Sequence, residues 1–204
     1  MAENSSISSD ETPYPANCPI PFDLFVSKKY KGLGQLGNLR FTDSVGTLVY
    51  SVQKLTRNSA GSGDARCVKL LLDSSGNTLF SINRVSKRSW QAFRGNCEDK
   101  DLIFHVNKTV DKYTRTEFKI LLAGEYNNDP KTELHMKGSP FKRACTIYKD
   151  DSIVAETSLM HKLGIEKIFV PRSRFRVTIF PGSADPPIVA SLIVIYFDGR
   201  KLWI

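Results

Sequence analysis

The sequence predicts a single, predominantly β domain, built as an antiparallel sandwich or barrel. Short runs in which apolar and polar residues alternate are typical of strands that bury one face. Tight turns separate these runs, and many short strands joined by tight turns indicate an antiparallel architecture. A chain of 204 residues is also short enough to fold around one core.

The first hairpin is predicted around the turn Asp43-Ser44-Val45-Gly46. Leu39 and Phe41 alternate with polar neighbours before the turn, and residues 48–52 return with Leu48, Tyr50 and Val52 on one face. An Asp at the first position can bond the backbone of a type I turn, and Gly suits the last position.

The same turn recurs 30 residues later as Asp73-Ser74-Ser75-Gly76, which makes a repeated hairpin unit. Before it, Val68, Leu70 and Leu72 alternate with their neighbours; after it come Leu79, Phe80 and Ile82. A third variant, with Asp150-Asp151-Ser152 at its turn, lacks the glycine. The further predicted strands are 90–93, 102–106, 117–122, 133–137, 145–148, 153–155, 168–170 and 175–180.

The last apolar run, Ile188 to Phe197, fits two structures. Asp185 followed by Pro186 and Pro187 is typical of a helix start, because a carboxylate can cap and the prolines need no amide donor. The β-branched residues of the run favour a strand instead. From these residues alone, a buried helix and a buried strand are equally supported.

The charge indicates a basic protein, and the polar N-terminus indicates a protein of a reducing compartment. The 29 Lys and Arg against 21 Asp and Glu give a net charge of +8, which attracts polyanions. The excess is spread along the sequence, and such a spread more often serves solubility alone. We expect no secretory signal, because residues 1–10 are polar and acidic. Residues 1–17 are too polar to bury anything, and the run 188–197 is too short to span a bilayer.

Three stretches, taken in order, resemble the plant LURP-one-related family. They are Ser89-Trp90-Gln91-Ala92-Phe93-Arg94-Gly95, then Lys137-Gly138-Ser139 through Arg143-Ala144-Cys145-Thr146-Ile147-Tyr148, then Ile188-Val189-Ala190-Ser191-Leu192-Ile193-Val194-Ile195. The resemblance runs from about Cys18 to Asp198. Pro140 and Pro186-Pro187 stand where the family tends to have aromatic residues, which affects the expected loop geometry and not the fold.

The resemblance implies a fold similar to the tubby C-terminal domain and to phospholipid scramblases. That fold is a closed antiparallel barrel of about twelve strands around a central hydrophobic C-terminal α-helix. Residues 1–17 would then be a flexible tail and 18–204 one barrel domain, with the central helix at about 186–197. The family is linked to plant defence, and the related tubby domains bind phosphoinositides and are proposed membrane-tethered regulators of transcription.

The sharpest candidate site is the alternating series Arg172, Arg174 and Arg176. On a strand these side chains point one way and Phe175 and Val177 point into the core. Guanidinium groups match phosphate with paired hydrogen bonds, so the series predicts a strip that binds an anion. The alternative is that carboxylates of neighbouring strands pair with it. The candidates that could extend the strip are Lys28, Lys29, Lys142 and Arg143, with Lys31, Lys87 and Arg88 as further basic neighbours.

No catalytic or metal site is predicted, and no cofactor. Gly32-Leu33-Gly34-Gln35-Leu36-Gly37 spells a dinucleotide fingerprint, but a β-type run follows it where the mechanism needs a helix. Cys67 is interpreted as an ordinary thiol, and the acidic residues Glu98, Asp99 and Asp101 as a solvated turn. His105, His135 and His161 have no ligand spacing to another His or Cys.

These observations predict a non-catalytic binding module of the LURP-one-related type, with a defence role implied only by the resemblance. The expected partner is an anionic membrane surface carrying phosphoinositides, or an acidic protein. The alternative is a nuclear, tubby-like protein that contacts nucleic acid or the transcription machinery, which we favour less. A scramblase-like activity is disfavoured, because the apolar run cannot both fill a barrel and cross a membrane. We expect a cytoplasmic monomer, with a membrane-peripheral or nuclear location as the alternatives.

Overall fold

The computed structural model describes residues 20–28, 39–56, 67–95, 101–112, 114–123, 132–139, 144–160, 174–182 and 184–198, without the side chains of Lys28, Thr56 and Cys67. Three segments discussed above lie outside the described residues: the predicted run 168–170, the tail 1–17 and the glycine-rich segment 32–37.

Twelve strands and one helix form the described fold. The strands are β1 (Phe22–Lys28), β2 (Leu39–Thr42), β3 (Leu48–Thr56), β4 (Cys67–Leu72), β5 (Thr78–Arg84), β6 (Ser89–Arg94), β7 (Leu102–Asp111), β8 (Thr116–Leu122), β9 (Glu133–Ser139), β10 (Ala144–Lys149), β11 (Ser152–Leu159) and β12 (Arg174–Ile179), and the helix is α1 (Pro186–Asp198). Each strand pairs antiparallel with its neighbours in the sequence, and β1 pairs with β12 to close a barrel. The fold that the resemblance implies is therefore confirmed.

The two Asp-x-x-Gly turns are built by the predicted chemistry. Asp43 Oδ1 accepts the backbone N–H groups of Val45 at 2.9 Å and Thr47 at 2.8 Å. Gly46 closes the turn with a positive φ of 94°, which glycine adopts without the steric penalty of a side chain. In the second turn the backbone N–H of Asn77 donates to Asp73 Oδ1 at 2.8 Å, as that of Thr47 does to Asp43, and Gly76 has a φ of 89°.

The third turn solves the same problem without glycine. Asp150 occupies the left-handed region, with a φ of 52°. Asp and Asn reach that region more easily than most side chains do, because a short polar chain can bond the local backbone. In this turn an aspartate therefore adopts the left-handed conformation that glycine adopts in the first two turns.

The apolar C-terminal run is a helix. Its first turn bonds to the carbonyl of Asp185, which accepts from Ile188 at 3.0 Å and Val189 at 3.2 Å. Every residue from Ile188 to Phe197 is buried, because α1 runs through the barrel. A closed barrel has no unpaired strand edge inside, so a segment there must satisfy its backbone by its own hydrogen bonds, and only a helix does so. No helix in the described ranges has both the length and the apolar character needed to cross a membrane.

Strand β4 places its side chains differently from what its alternation suggests. Leu71 belongs to the core cluster, and Lys69 lies beside Val194 and Ile195 of α1. Val68 and Leu70 are therefore on the other face of the strand, outside the core cluster. Lys69 thus occupies an inward position near the end of the barrel, and its partner is Asp198 of α1.

Candidate functional site

The arginine series on β12 has the predicted alternation where the structure describes it. Arg174 and Arg176 are exposed on the outer face, while Phe175, Val177 and Ile179 are buried in the core. The third member, Arg172, lies outside the described residues.

A carboxylate of the neighbouring strand lies beside Arg176. Arg176 Nη1 is 3.9 Å from Asp23 Oδ2 on β1, and Thr178 Oγ1 donates to the other oxygen of Asp23 at 2.6 Å. The side chains of Arg176 and Asp23 are 48% and 34% exposed, so such a pair contributes about 0–1 kcal/mol. Arg174 has no carboxylate within ion-pair distance among the described residues. The pairing alternative therefore applies to Arg176, and the series is not a continuous unpaired strip.

The other predicted basic residues belong to connections between strands. Lys29, Lys142 and Arg143 lie outside the described residues, and the side chain of Lys28, the last residue of β1, is not described. In the sequence, Lys29 follows β1, whereas Lys142 and Arg143 follow β9. In the described fold, the last residues of β1 and β9 lie at the same end of the barrel.

All six connections that follow odd-numbered strands start from this one end, because neighbouring strands run antiparallel around the closed barrel. We call it the basic end. Its connections carry thirteen Lys and Arg residues and only two acidic residues, Asp64 and Glu166. The basic residues are Lys29, Lys31, Arg57, Arg66, Lys87, Arg88, Lys112, Arg115, Lys142, Arg143, Lys162, Lys167 and Arg172.

The opposite end, where α1 begins, has the reverse balance. The segments that follow even-numbered strands carry ten acidic residues and two lysines, Lys100 and Lys131. The acidic residues are Asp43, Asp73, Glu98, Asp99, Asp101, Glu125, Asp129, Asp150, Asp151 and Asp185. The connections that start from the two ends therefore differ in charge in the sequence, and the described cations among them, Lys87, Arg88, Lys112 and Arg115, lie at the basic end.

A cavity of about 240 Å³ lies at the basic end, beside the C-terminus of α1. We call it the mouth cavity. Its cations are Lys54 of β3, Lys69 of β4 and Arg84 of β5. Its other walls are Ile82, Trp90, Val194, Ile195 and Asp198.

Asp198, the last residue of α1, connects the helix to the wall of the barrel. Its carboxylate accepts a hydrogen bond from Lys69 Nζ and another from Trp90 Nε1 at 3.2 Å. Burial opposes ionisation of this carboxyl, but the Lys69 charge, these two bonds and the more distant Arg84 outweigh burial and hold the pKa of Asp198 below its ordinary value. Asp198 is therefore ionised at neutral pH and neutralises one of the three cations.

Comparison with known proteins agrees with this architecture. Residues 22–198 match the LURP-one-related family, which covers the whole barrel and α1. The chain belongs to the LURP-one-related family. It is 43% identical to LURP-one-related protein 7 of Arabidopsis thaliana, over 95% of this chain and 100% of that protein. It is 31% identical to LURP-one-related protein 15 of the same plant, over 90% and 82% of the two chains.

A solved structure shares this LURP-one-related fold. It is the X-ray structure of a protein from Arabidopsis thaliana, 28% identical to this chain, with a TM-score of 0.59. The match covers 90% of this chain and 93% of the other.

The histidines and the cysteine that the structure of this LURP-one-related barrel describes are held in structural contacts. His135 Nε2 lies 2.9 Å from Glu133 Oε1, and His105 Nδ1 lies 3.4 Å from the amide of Asn107. Cys145 is buried and its backbone N–H donates to the hydroxyl of Thr157 at 2.8 Å. Among the described residues, no group of three His, Cys, Asp or Glu side chains could hold a metal ion. His161 and the Cys67 side chain lie outside the description.

The mouth cavity is the feature that the sequence analysis missed. The sequence analysis assigned no role to Lys54, Lys69 or Asp198. The sequence offered one indication of a shared site: each of these charged residues lies within a few residues of the end of a strand or of the helix. Only the register, which pairs Lys54 with Lys69, brings them together.

Proposed function

We propose that this LURP-one-related protein is a non-catalytic binding module whose basic end docks on an anionic membrane surface that carries phosphoinositides. The observation that supports this most is the contrast in charge between the connections that start from the two ends of the barrel. A surface whose charges have one sign attracts a polyanion as a whole, without a shaped site for each charge.

The described residues of the basic end are suited to such contact. Lys87 and Arg88 lie in the exposed connection between β5 and β6, and Lys112 in that between β7 and β8. None of the three has a carboxylate within ion-pair distance in the part of the chain that the structure describes. Arg115, by contrast, bonds Glu117. Each unpaired Lys or Arg near an anionic leaflet contributes about 1 kcal/mol to binding.

The acidic end would set the orientation on the membrane. Anionic lipids repel the carboxylates of the turns at Asp43, Asp73 and Asp150, so the protein would dock with α1's C-terminus towards the lipid. Arg174, at the start of β12, lies near the basic end and would add to the contact. Arg176 contributes less, because Asp23 lies beside it.

The experiment is vesicle sedimentation with two variants of equal net charge. K87S/R88S removes two cations from the basic end, and S74D/S75D adds two carboxylates to an exposed turn at the acidic end. We expect K87S/R88S to weaken binding to phosphatidylserine and phosphoinositide vesicles by ~2 kcal/mol, roughly 30-fold, and S74D/S75D to bind almost as the wild type does. Equal losses in the two variants would mean that net charge alone acts and would contradict the proposed orientation.

Two further experiments test the arginine strip on β12 and the nuclear alternative. Reversal of Arg172, Arg174 and Arg176 to glutamate tests the strip on β12, and unchanged vesicle binding removes it as a lipid site. A salt titration with duplex DNA in parallel tests the nuclear alternative, since the same charge attracts nucleic acid. Binding to DNA without binding to vesicles would favour the nuclear, transcription-associated role over the membrane role. The link to plant defence remains a proposal that the family resemblance suggests.

A further inference from the structure

The mouth cavity holds more positive charge than its own carboxylate neutralises. Lys54 and Lys69 are directly opposite each other on β3 and β4, and like charges in opposite positions repel. Asp198 bonds Lys69 and leaves Lys54, which has no carboxylate within ion-pair distance in the described ranges. Arg84 adds a third cation. The lining of the cavity therefore carries three positive charges and one negative charge.

The helix C-terminus accounts for part of this charge and not for all of it. The last carbonyls of α1 carry a partial negative charge that a nearby cation stabilises. Lys69, which bonds the last helical residue, meets that requirement. The positive charges of Lys54 and Arg84 exceed what the helix C-terminus requires. The apolar floor residues Ile82, Val194 and Ile195 are almost completely buried, whereas Lys54 and Arg84 are exposed and can meet a ligand from solvent.

Arg84 is held in place before any ligand arrives. Its Nε and Nη2 donate to the carbonyls of Ser86 and Lys87, each at 3.1 Å. Its guanidinium carbon lies 5.4 Å from the centre of the Trp90 ring, within cation–π range. A fixed guanidinium and a flexible lysine across a small cavity are the groups that proteins use for a phosphate group.

We propose that the mouth cavity binds the phosphate group of a phosphate monoester, with Lys54 and Arg84 as its cationic ligands. A monoester phosphate carries between −1.5 and −2 charges and three terminal oxygens at neutral pH. That charge matches the excess of two in the cavity, whereas a phosphodiester brings one charge and two terminal oxygens. Asp198 opposes the anion least when Lys69 and Trp90 both bond it, as they do here.

This inference refines the proposed function, because it places a selective site within the end that docks on the membrane. The same chemistry has two sources, a soluble ester or a lipid such as phosphatidic acid. A cavity of about 240 Å³ admits the phosphate and a small part of its alcohol in either case.

The test uses the full chain and glycerol 3-phosphate as the soluble probe. The indole N–H of Trp90 lines the cavity and reports binding in a ¹H–¹⁵N spectrum, and W203F assigns it, because the chain has two tryptophans. We expect the Trp90 resonance to shift to saturation and K54Q to weaken the affinity about tenfold or more. The matched control is K137Q, which removes the same charge from an exposed position on β9 that does not line the cavity.

The lipid arm compares phosphatidylcholine vesicles that contain phosphatidic acid with vesicles of equal charge that contain phosphatidylserine. A preference for phosphatidic acid that K54Q abolishes and K137Q retains identifies the lipid as the source, and soluble binding without that preference identifies a soluble ester. If glycerol 3-phosphate leaves the Trp90 resonance unmoved, or if K54Q binds the ester as the wild type does, the inference is wrong. Binding of the ester without binding to any vesicle would leave the inference standing and overturn the proposed membrane docking.

Discussion

The backbone of Gly138 on β9 lies directly against the phenol ring of Tyr196 on α1. A Cβ atom built on Gly138 would lie 2.7 Å from Tyr196 Cζ, closer than side-chain carbons approach one another. The Tyr196 hydroxyl donates to the carbonyl of Ala144 on β10 at 2.8 Å. Helix and wall therefore meet here with no space for a side chain, and this close approach is the reason for the glycine.

The substitution G138A is expected to destabilise the protein by about 1–3 kcal/mol, because the Tyr196 ring must move out of its place. Urea unfolding measures the loss. In a Y196L background the clash is relieved, so the same substitution should cost less there. An equal cost in both backgrounds would show that the ring is not the cause.

Truncation of the central helix is expected to be far more damaging than the same truncation on the barrel surface. Ile193 on α1 is completely buried, while Ile153 on β11 is 40% exposed. We expect I193A to lower the free energy of unfolding by about 2–5 kcal/mol through the lost burial and the cavity that remains. For I153A the expected loss is about 1 kcal/mol or less. Similar losses would argue against a helix enclosed by the sheet.

The cost of substituting the turn glycines should come from their backbone conformation and not from a lack of space. Nothing lies within 4 Å of a Cβ built on Gly76, yet its φ is 89°. We therefore expect G76A to cost about 1–2 kcal/mol in thermal or urea unfolding. Asn tolerates positive φ better than Ala, so G76N should cost less than G76A. A cost for Asn as large as that for Ala would contradict this account.

Stability at low pH should depend on Asp198. Its pKa in the folded protein lies below the ordinary value of 3.8, so its ionised form stabilises the fold above that value and the stabilisation is lost as the pH falls through the folded pKa. We expect D198N to cost ~1–3 kcal/mol near neutral pH, because the bonds from Lys69 and Trp90 lose their charged acceptor. The difference between wild type and D198N should then shrink below about pH 4.

The control for this prediction is D151N, which changes an aspartate in an exposed turn between β10 and β11. We expect D151N to unfold as the wild type does across the whole pH range. A difference between wild type and D198N that stays constant down to pH 2 would show that Asp198 contributes by its shape and not by its charge.

Local patterns were sufficient for most of the wall of the barrel. The turns at Asp43 and Asp73 and the strands around them follow from side-chain bonds and φ values that a few adjacent residues determine. The outward Arg174 and inward Phe175 likewise follow from the two-residue repeat of a strand. The conformation of residues 188–197 did not follow from local patterns, because an apolar run fits a helix or a strand until its surroundings are known.

The candidate site depended on the fold to a greater degree. Lys69 is separated from Asp198 by 129 positions in the sequence, and Lys54 meets Lys69 only through the pairing of β3 with β4. The basic residues of the connections seemed scattered, since acidic turns alternate with them along the chain. Antiparallel pairing starts every second connection from the same end, so connections that alternate in charge along the sequence start from opposite ends of the barrel.

The amino-acid sequence by itself determined that this protein is basic, mainly β, built from repeated hairpins and similar to the LURP-one-related family. Only the tertiary structure decided which connections start from the same end and that Lys69 lies beside Asp198. The residues of the apolar run fit a helix or a strand, and the structure confirms the helix that the resemblance implies. The physical reason is range: turn chemistry and strand alternation act between near neighbours, whereas ring closure, register and the pairing of Asp198 with Lys69 join residues that are distant in the sequence.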